Sequence, residues 1–254
     1  MKSIVIANWK MNPQILREAS GLFRAVAKGV RGIKNIDVVI APPFVYLPLL
    51  EVGRGKSVVA LAAQDSFWED RGAYTGEISP TMLKALGVTY VIIGHSERRM
   101  HLGETDEMVN KKIKAVLKAG LTPVLCVGER TRERVNEIPV FVGEQVKKAL
   151  VGLKKGEFKN GVIAYEPVWA IGTGTPDTPE GATRAALYIR KIVRDMLGGN
   201  VADSLRVIYG GSVNAGNAAS FISRDIRGME GMLVGGASLK AEEFIEIVRR
   251  VSAQ

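Results

Sequence analysis

The chain is poor in residues that form disulfides or bind metals. Its 254 residues include one cysteine, Cys126, and two histidines, His95 and His101. A single thiol cannot form an internal disulfide, and proteins without disulfides are typical of the reducing cytoplasm. Because Cys126 stands in the apolar run VLCVG and has no basic neighbour in sequence, we expect a buried structural thiol. No histidine–cysteine cluster with metal-ligand spacing occurs.

The chain also lacks long apolar runs and concentrated charge. No apolar stretch approaches the roughly 18 residues of a transmembrane helix, and MKSIVIANWK is too short in its apolar part for a secretory signal. The 35 basic and 26 acidic residues give a net charge of +9, yet they are dispersed and not interleaved with aromatics. We therefore expect no membrane or nucleic-acid partner, and a solvated surface that favours small anions.

The chain does contain short apolar runs that recur along its whole length. They are continuous and rich in valine and isoleucine, which is typical of strands buried on both faces of a parallel sheet. Eight such runs begin near Ser3, Ile36, Val58, Thr89, Leu121, Gly161, Leu205 and Gly231.

Segments with helical spacing separate these runs. Asn12-Pro13, Ser79-Pro80 and Thr178-Pro179 each place a capping residue before a proline, which predicts a helix start. A predicted apolar stripe on the first helix comprises Ile15, Leu16, Ala19, Leu22, Phe23 and Val26. Strand and helix alternate without a linker, so the sequence predicts a single α/β domain over residues 1–254, a closed (β/α)8 TIM barrel with a parallel eight-stranded sheet.

In such barrels the chemistry lies where strands end, and three ionisable residues follow three different runs. Lys10 comes after the first run, His95 after the fourth and Glu166 after the sixth. Taken singly, they read as a solvated cation, a structural histidine and half of an ion pair. Their common position at one end of a barrel favours a shared catalytic site instead.

Two glycine pairs follow the last two runs, in YGGS and VGGAS. Unobstructed backbone N–H groups and helix N-termini bind phosphate, and barrels commonly hold phosphate in these two loops. We expect Asn214, or residues near it, and Ser238 to start the helices that follow. The alternative is that the glycines only permit tight turns.

Five motifs together resemble the triosephosphate isomerase family: NWKMN, GHSERR, AYEPVWAIGTG, YGGSVN and LVGGASL. The resemblance covers residue 3 to about residue 251. It implies an enzyme of glycolysis and gluconeogenesis that interconverts dihydroxyacetone phosphate and D-glyceraldehyde 3-phosphate through an enediolate. It implies no cofactor and no metal.

The resemblance also implies residue roles. Glu166 would be the base, His95 a neutral imidazole that polarises the substrate oxygens, and Lys10 the cation that stabilises the oxyanion and the phosphate. Glu97 would be an acid near Lys10. The substrate-binding positions would be Asn8, Lys10, Gly172, Ser212, Gly235 and Gly236. Amides at the start of the HSERR segment would favour the neutral ring of His95.

The segment after Glu166 resembles the family's lid. By that resemblance Trp169 meets Glu129 when the lid is open, and Tyr209 and Ser212 hold it when closed. An apolar lid removes water, which strengthens charge interactions inside the site. The exit hinge departs from the usual Lys-Thr-Ala and reads Thr175-Pro176-Asp177. Since the length is unchanged and the Asp177 amide remains, we expect activity to survive and lid opening to change.

A second departure is Asp65, where the family normally has asparagine. It precedes SFWEDRGAYTGE, which resembles the family's dimer loop, with Thr75 reaching toward the neighbouring subunit. The resemblance thus implies a homodimer, or a dimer of dimers, with Asp65 leaving the details of the contact open, and the single thiol favours a cytoplasmic location. The alternatives are a phosphate-binding barrel that acts on another small sugar phosphate and a noncatalytic barrel that binds polyanions.

Overall fold

Eight parallel strands close into a barrel in the computed structural model, which describes residues 1–55, 57–131, 140–222 and 228–254. Each strand pairs with the next one along the chain, and the last pairs with the first. The strands are β1 Ser3–Asn8, β2 Ile36–Ala41, β3 Ala60–Ala63, β4 Tyr90–Ile93, β5 Thr122–Val127, β6 Val162–Tyr165, β7 Arg206–Tyr209 and β8 Gly231–Val234. The predicted TIM barrel is confirmed.

The eight apolar runs mark these strands to within two residues. The largest difference is at β3, which begins at Ala60 and not at Val58. Val58 is 68 % exposed, whereas Val59 is fully buried, so the apolar run begins before the chain enters the barrel.

Nine helices surround the barrel in the described part of the chain. They are α1 Leu16–Gly29, α2 Leu47–Arg54, α3 Pro80–Ala85, α4 Ser96–His101, α5 Asp106–Lys118, α6 Val140–Leu150, α7 Pro179–Leu197, α8 Gly199–Ser204 and α9 Ala241–Ser252. Short 3-10 turns span Phe44–Tyr46, Val168–Ala170, Ala218–Phe221 and Gly236–Leu239. None of the helices described combines the length and apolar character that a membrane span requires.

Two of the three predicted helix starts are confirmed. The Ser79 hydroxyl accepts a hydrogen bond from the Met82 amide at 3.2 Å, and the Thr178 hydroxyl accepts one from the Gly181 amide at 3.0 Å. Each proline that follows occupies the first turn, where its missing N–H leaves no hydrogen bond unmade.

The predicted helix start at Asn12-Pro13 is wrong, because α1 begins at Leu16 after an extended Ile15. The preceding segment is a loop held by its own contacts, including a hydrogen bond of 2.8 Å from the Tyr46 hydroxyl to the Pro13 carbonyl. Ile15 and Leu16 are 53 % and 46 % exposed. The buried stripe of α1 therefore begins later than predicted, at Ala19.

The core has two layers because strand side chains alternate between the two faces of the sheet. Along β1, Ile4 and Ile6 pack inside the barrel, whereas Val5 and Ala7 pack in the layer between barrel and helices. Both faces are apolar, which explains why the strand runs are continuous and not alternating.

Barrel closure depends on a glycine in β8, opposite Ile4 of β1. A Cβ on Gly231 would lie 1.9 Å from the Ile4 carbonyl oxygen. Replacing Gly231 with alanine should therefore lower the free energy of unfolding by about 3 kcal/mol, measured by denaturant unfolding at fixed protein concentration.

The control is Gly21→Ala, in α1, where a Cβ would meet nothing within 4 Å. It should raise the free energy of unfolding by about 1 kcal/mol, because glycine is unfavourable in a helix. Equal stability of the Gly231 variant and the wild type would contradict the closure argument.

Candidate active site

The predicted site residues converge on one cavity of about 280 Å³ at the carboxyl ends of the strands. Eight of the nine line it directly: Asn8, Lys10, His95, Glu166, Gly172, Ser212, Gly235 and Gly236. The ninth, Glu97, reaches the site through an ion pair with Lys10, whose Nζ lies 2.5 Å from Oε1 of Glu97. The fold thus gathers groups from strands that are distant in sequence.

Glu166 follows β6 and is 2 % exposed. Its Oε2 accepts a hydrogen bond from the Ser96 amide at 3.1 Å, and its Oε1 lies 3.1 Å from Nε2 of His95. Burial alone would raise the pKa of Glu166, but His95 and the Ser96 amide lower it by more, so the net shift is downward. The carboxylate is therefore ionised and available as a base.

His95 precedes α4 and is 6 % exposed. The Glu97 amide donates to Nδ1 at 3.2 Å, which assigns the proton of the neutral ring to Nε2. The expected helix-terminal amide is thus present and favours the neutral ring. Burial lowers the pKa of His95, but the carboxylate of Glu166 outweighs burial and raises the pKa above its ordinary value.

Lys10 follows β1 in a left-handed conformation, with φ of 53°, which is uncommon outside glycine. Side-chain amides hold this backbone: Asn8 Oδ1 accepts from the Lys10 amide at 3.1 Å, and Gln64 Nε2 donates to the Lys10 carbonyl at 2.8 Å. These contacts, together with the ion pair to Glu97, fix the ammonium at the cavity.

The glycine loops after β7 and β8 form the far wall of the cavity. A Cβ at Gly236 would meet nothing within 4 Å, so this backbone faces open space. The expectation that Ser238 starts a helix is wrong: it lies inside the 3-10 turn, where its hydroxyl donates to the Gly235 carbonyl at 2.7 Å. Asn214 precedes a 3-10 turn that begins only at Ala218.

The first part of the lid segment makes the contact expected for an open lid. Nε1 of Trp169 donates to Oε1 of Glu129 at 3.0 Å, and the Tyr165 hydroxyl donates to the same oxygen at 2.9 Å. Gly172, near the lid tip, has φ of 71°, a value that glycine adopts at little cost.

The exit side of the lid holds the contacts expected for a closed lid. The Asp177 amide donates to the Tyr209 hydroxyl at 2.8 Å, and the Ser212 hydroxyl donates to the Ala170 carbonyl at 2.6 Å. The amide of Asp177 is thus available to Tyr209, as predicted. The structure contains both sets of contacts at once, so it combines features expected of the open lid with features expected of the closed lid.

Three further residues do not line this cavity. Trp9 and Cys126 are fully buried, and His101 is exposed at the end of α4. Burial, and next the nearby Glu166 carboxylate, raise the pKa of the Cys126 thiol well above its ordinary value. Over the described ranges, no group of three or more histidine, cysteine, aspartate or glutamate side chains is placed to hold a metal.

Comparison with known proteins agrees with this geometry. The family model described as triosephosphate isomerase matches residues 3–251. The chain belongs to the triosephosphate isomerase family. Curated triosephosphate isomerases from Acetivibrio thermocellus and Carboxydothermus hydrogenoformans are 47 % and 45 % identical, and one from Citrifermentans bemidjiense is 44 % identical. In each case the match covers 98 % of this chain and 98 % of the relative.

The sequence motifs assigned no role to Ser96 or Gln64 in this triosephosphate isomerase family member, and they predicted only a phosphate-binding or turn role for Gly210. Ser96 holds Glu166 through its amide, and Gln64 holds Lys10. Gly210 leaves space for Glu166, since a Cβ there would lie 2.8 Å from Cγ of that residue. Ser96 and Gln64 stand next to strand ends, but only their contacts across the barrel reveal what they do.

Asp65, the departure from the family pattern, lies in a cluster of four charges. Its carboxylate is 2.8 Å from Nη2 of Arg98 and 2.8 Å from Nζ of Lys112, which also binds Glu104. Burial and the Glu104 carboxylate raise the pKa of Asp65 more than the two cations lower it, so the pKa is about 6 instead of 3.8. Within the described residues, Asp65 is therefore part of an internal ion network.

Stability should depend on pH through Asp65. The carboxyl group of Asp65 keeps its proton up to about pH 6 in the folded chain, but only up to about pH 3.8 in the unfolded chain. The contribution of protonated Asp65 to stability is therefore full below pH 3.8 and is lost as the pH rises through 6. Relative to Asp65→Asn, the wild type should lose up to about 3 kcal/mol of unfolding free energy between about pH 4 and pH 7.

The measurement is urea unfolding of both proteins across this pH range, with exposed Asp195→Asn as the control. The Asp195 variant should follow the wild type at every pH. A constant difference between the wild type and Asp65→Asn would show that Asp65 does not titrate in this window.

Proposed function

We propose that Glu166, His95 and Lys10 carry out the reaction of the triosephosphate isomerase family in this chain. As a member of that family, the chain is an isomerase that interconverts dihydroxyacetone phosphate and D-glyceraldehyde 3-phosphate through an enediolate. The observation that supports the residue roles is the single cavity of about 280 Å³ lined by all three side chains and by the glycine loops.

Glu166 acts as the base that moves a proton between adjacent substrate carbons. Its carboxylate is buried yet ionised, and its two oxygens are held by the Ser96 amide and His95. Both partners are hydrogen-bond donors, and a substrate hydroxyl can donate in their place, so the carboxylate can turn toward the substrate without remaining unpaired. A positioned general base contributes about 10² to 10⁴ in rate.

His95 donates from Nε2 to the substrate oxygens as a neutral imidazole. When Glu166 turns to the substrate, the carboxylate that raises the pKa of His95 leaves Nε2. The Glu97 amide on Nδ1 remains and continues to favour the neutral ring. A neutral donor beside Lys10 avoids placing two full positive charges in one buried site.

Lys10 supplies the charge that stabilises the enediolate oxygen and the phosphate. Its ammonium is partly exposed, at 31 % of the side chain, and it is aligned by Glu97. Preorganised donors at a developing oxyanion contribute about 3 to 4 kcal/mol each.

The glycine loops and the lid bind the phosphate and exclude water. Gly172, Gly235 and Gly236 line the cavity and have no side chain of their own to cover their backbone amides, and Ser212 lines the same cavity. Ile171 gives the closing segment an apolar face toward the cavity. A small cavity closed in this way fits a three-carbon phosphate, which disfavours a larger sugar phosphate.

The assembly we propose is a homodimer in which the Thr75 loop reaches the neighbouring subunit. A hydrogen bond of 2.8 Å between the Phe67 amide and the Ile78 carbonyl closes the base of this loop, and residues 71–77 are all exposed. Met82, on the helix that follows the loop, is 54 % exposed, and Met11 beside the catalytic lysine is 83 % exposed. A second copy would bury these apolar side chains.

Two further proposals concern the whole chain. Residues 1–254 form one domain, because β8 pairs with β1 and α9 packs against α1. The enzyme acts in the cytoplasm, which fits a single buried thiol. Pairing of the first and last elements supports the single domain, and the triose phosphate reaction of central carbon metabolism supports the cytoplasmic location.

Replacing Glu166 with glutamine should remove the base and keep the cavity. In a coupled assay with D-glyceraldehyde 3-phosphate, kcat should fall by about 10² to 10⁴ or more, with inorganic phosphate inhibiting as it does in the wild type. The control is Glu18→Gln on the exposed face of α1, which should retain full activity. If Glu166→Gln kept more than about a tenth of the rate, the base would be another residue.

The dimer can be tested by replacing Met82 with glutamate, next to the proposed interface loop. In sedimentation at micromolar concentration, the wild type should have twice the 27.5 kDa mass of the chain, and this variant should shift toward the monomer because a charge cannot be buried there unpaired. Leu187→Glu on α7, 42 % exposed in the wild type, should remain dimeric. An active wild-type monomer would overturn the proposal.

A further inference from the structure

A second, larger cavity of about 520 Å³ lies between α1 and α2, away from the catalytic site. Its lining includes the apolar residues Phe23 and Ala27 and four cationic residues, Arg24, Lys28, Arg31 and Arg54. We call it the basic groove. The groove draws together cations from two segments that the sequence separates by more than twenty residues.

The charge of the basic groove is mostly uncompensated. Both nitrogens of the Arg54 fork bind Glu51 at 2.9 Å, so this pair is close to neutral. Arg24, Lys28 and Arg31 form no ion pair with any residue in the described part of the chain. Three positive charges therefore border one concave surface.

Helix stability does not account for this arrangement. Lys28 lies in the last turn of α1, where a cation favours the helix dipole. Arg24, in the helix interior, gains nothing from the dipole and stands four residues before Lys28, a spacing at which like charges repel. A bound anion would convert this repulsion into attraction.

The shape of the groove indicates the kind of anion. Its volume falls in the range of small-molecule sites, about 300 to 1,000 Å³. Phe23 is 2 % exposed and so offers no ring face for stacking a base. Arginine forks bind phosphate oxygens in pairs, and lysine adds a point charge. We propose that the basic groove binds a compact polyanion of linked phosphates, recognised through its phosphate groups alone.

The groove lies at the opposite end of the barrel from the catalytic cavity. In the barrel each helix leads back to the start of the next strand, so the C-terminal ends of α1 and α2 adjoin the amino ends of β2 and β3. The catalytic residues follow the carboxyl ends of the strands. Polyphosphate in the groove would therefore not compete with substrate, and the site is additional to the proposed catalysis.

The test is calorimetric titration with sodium tripolyphosphate at low ionic strength. The equilibrium mixture of the two triose phosphates is kept saturating, so that the catalytic cavity is occupied. The wild type should still bind one tripolyphosphate per chain, and binding should weaken as salt is added.

The decisive comparison is between two double variants with the same change in net charge. Arg24→Glu with Lys28→Glu should weaken tripolyphosphate binding by at least about tenfold, since two contacts become repulsive. Lys155→Glu with Lys159→Glu, at exposed positions outside the groove, should leave binding within about twofold of the wild type. Both should retain wild-type kcat and KM, which also shows that both are folded.

Three results would count against the proposal. If both double variants weaken binding equally, only the net charge of the protein matters and the groove is not a site. If saturating triose phosphate abolishes tripolyphosphate binding in the wild type, the anion had entered the catalytic cavity. The milder pair Arg24→Gln with Lys28→Gln should give an intermediate loss, and wild-type affinity there would also count against the groove.

Discussion

The site depends on one buried carboxylate that stays ionised. Glu166 has almost no contact with water, and burial by itself would make its proton hard to remove. Two donors, the Ser96 amide and Nε2 of His95, compensate its charge at 3.1 Å each. The Glu97 amide on Nδ1 places the proton of the neutral imidazole on Nε2, which faces Glu166, so the protonation of the proposed base and electrophile is set by three neighbouring hydrogen bonds.

Close packing of backbone around Glu166 keeps this pair in place. A Cβ on Gly128 would lie 1.7 Å from the Glu166 carbonyl, and one on Gly210 would lie 2.8 Å from its Cγ. On the opposite wall, Gln64 bonds both the Lys10 carbonyl and the Ala41 carbonyl, at 2.8 and 2.9 Å. Rigid neighbouring strands thus supply the precision that the chemistry needs.

Much of the fold and most of the candidate site could be predicted from the sequence. Buried parallel strands leave continuous apolar runs, and these gave all eight strands to within two residues. Helix starts were predictable where a side chain caps the backbone, as at Ser79 and Thr178. The prediction failed at Asn12, where loop contacts such as the hydrogen bond from Tyr46 to Pro13 take precedence. The motifs identified Lys10, His95 and Glu166 as candidates, because each residue follows a strand that ends at the same face of the barrel.

The sequence by itself determined the barrel and the candidate reactive groups, since apolar periodicity and residue chemistry are local properties. Only the tertiary structure decided which atoms meet. It shows that Ser96 holds Glu166 and that Asp65 shares Lys112 with Glu104. It also shows that dispersed cations on α1 and α2 border one groove. These facts depend on distances between residues far apart in the chain. Electrostatic and hydrogen-bond energies follow those distances and the local burial, and neither can be read from residue order.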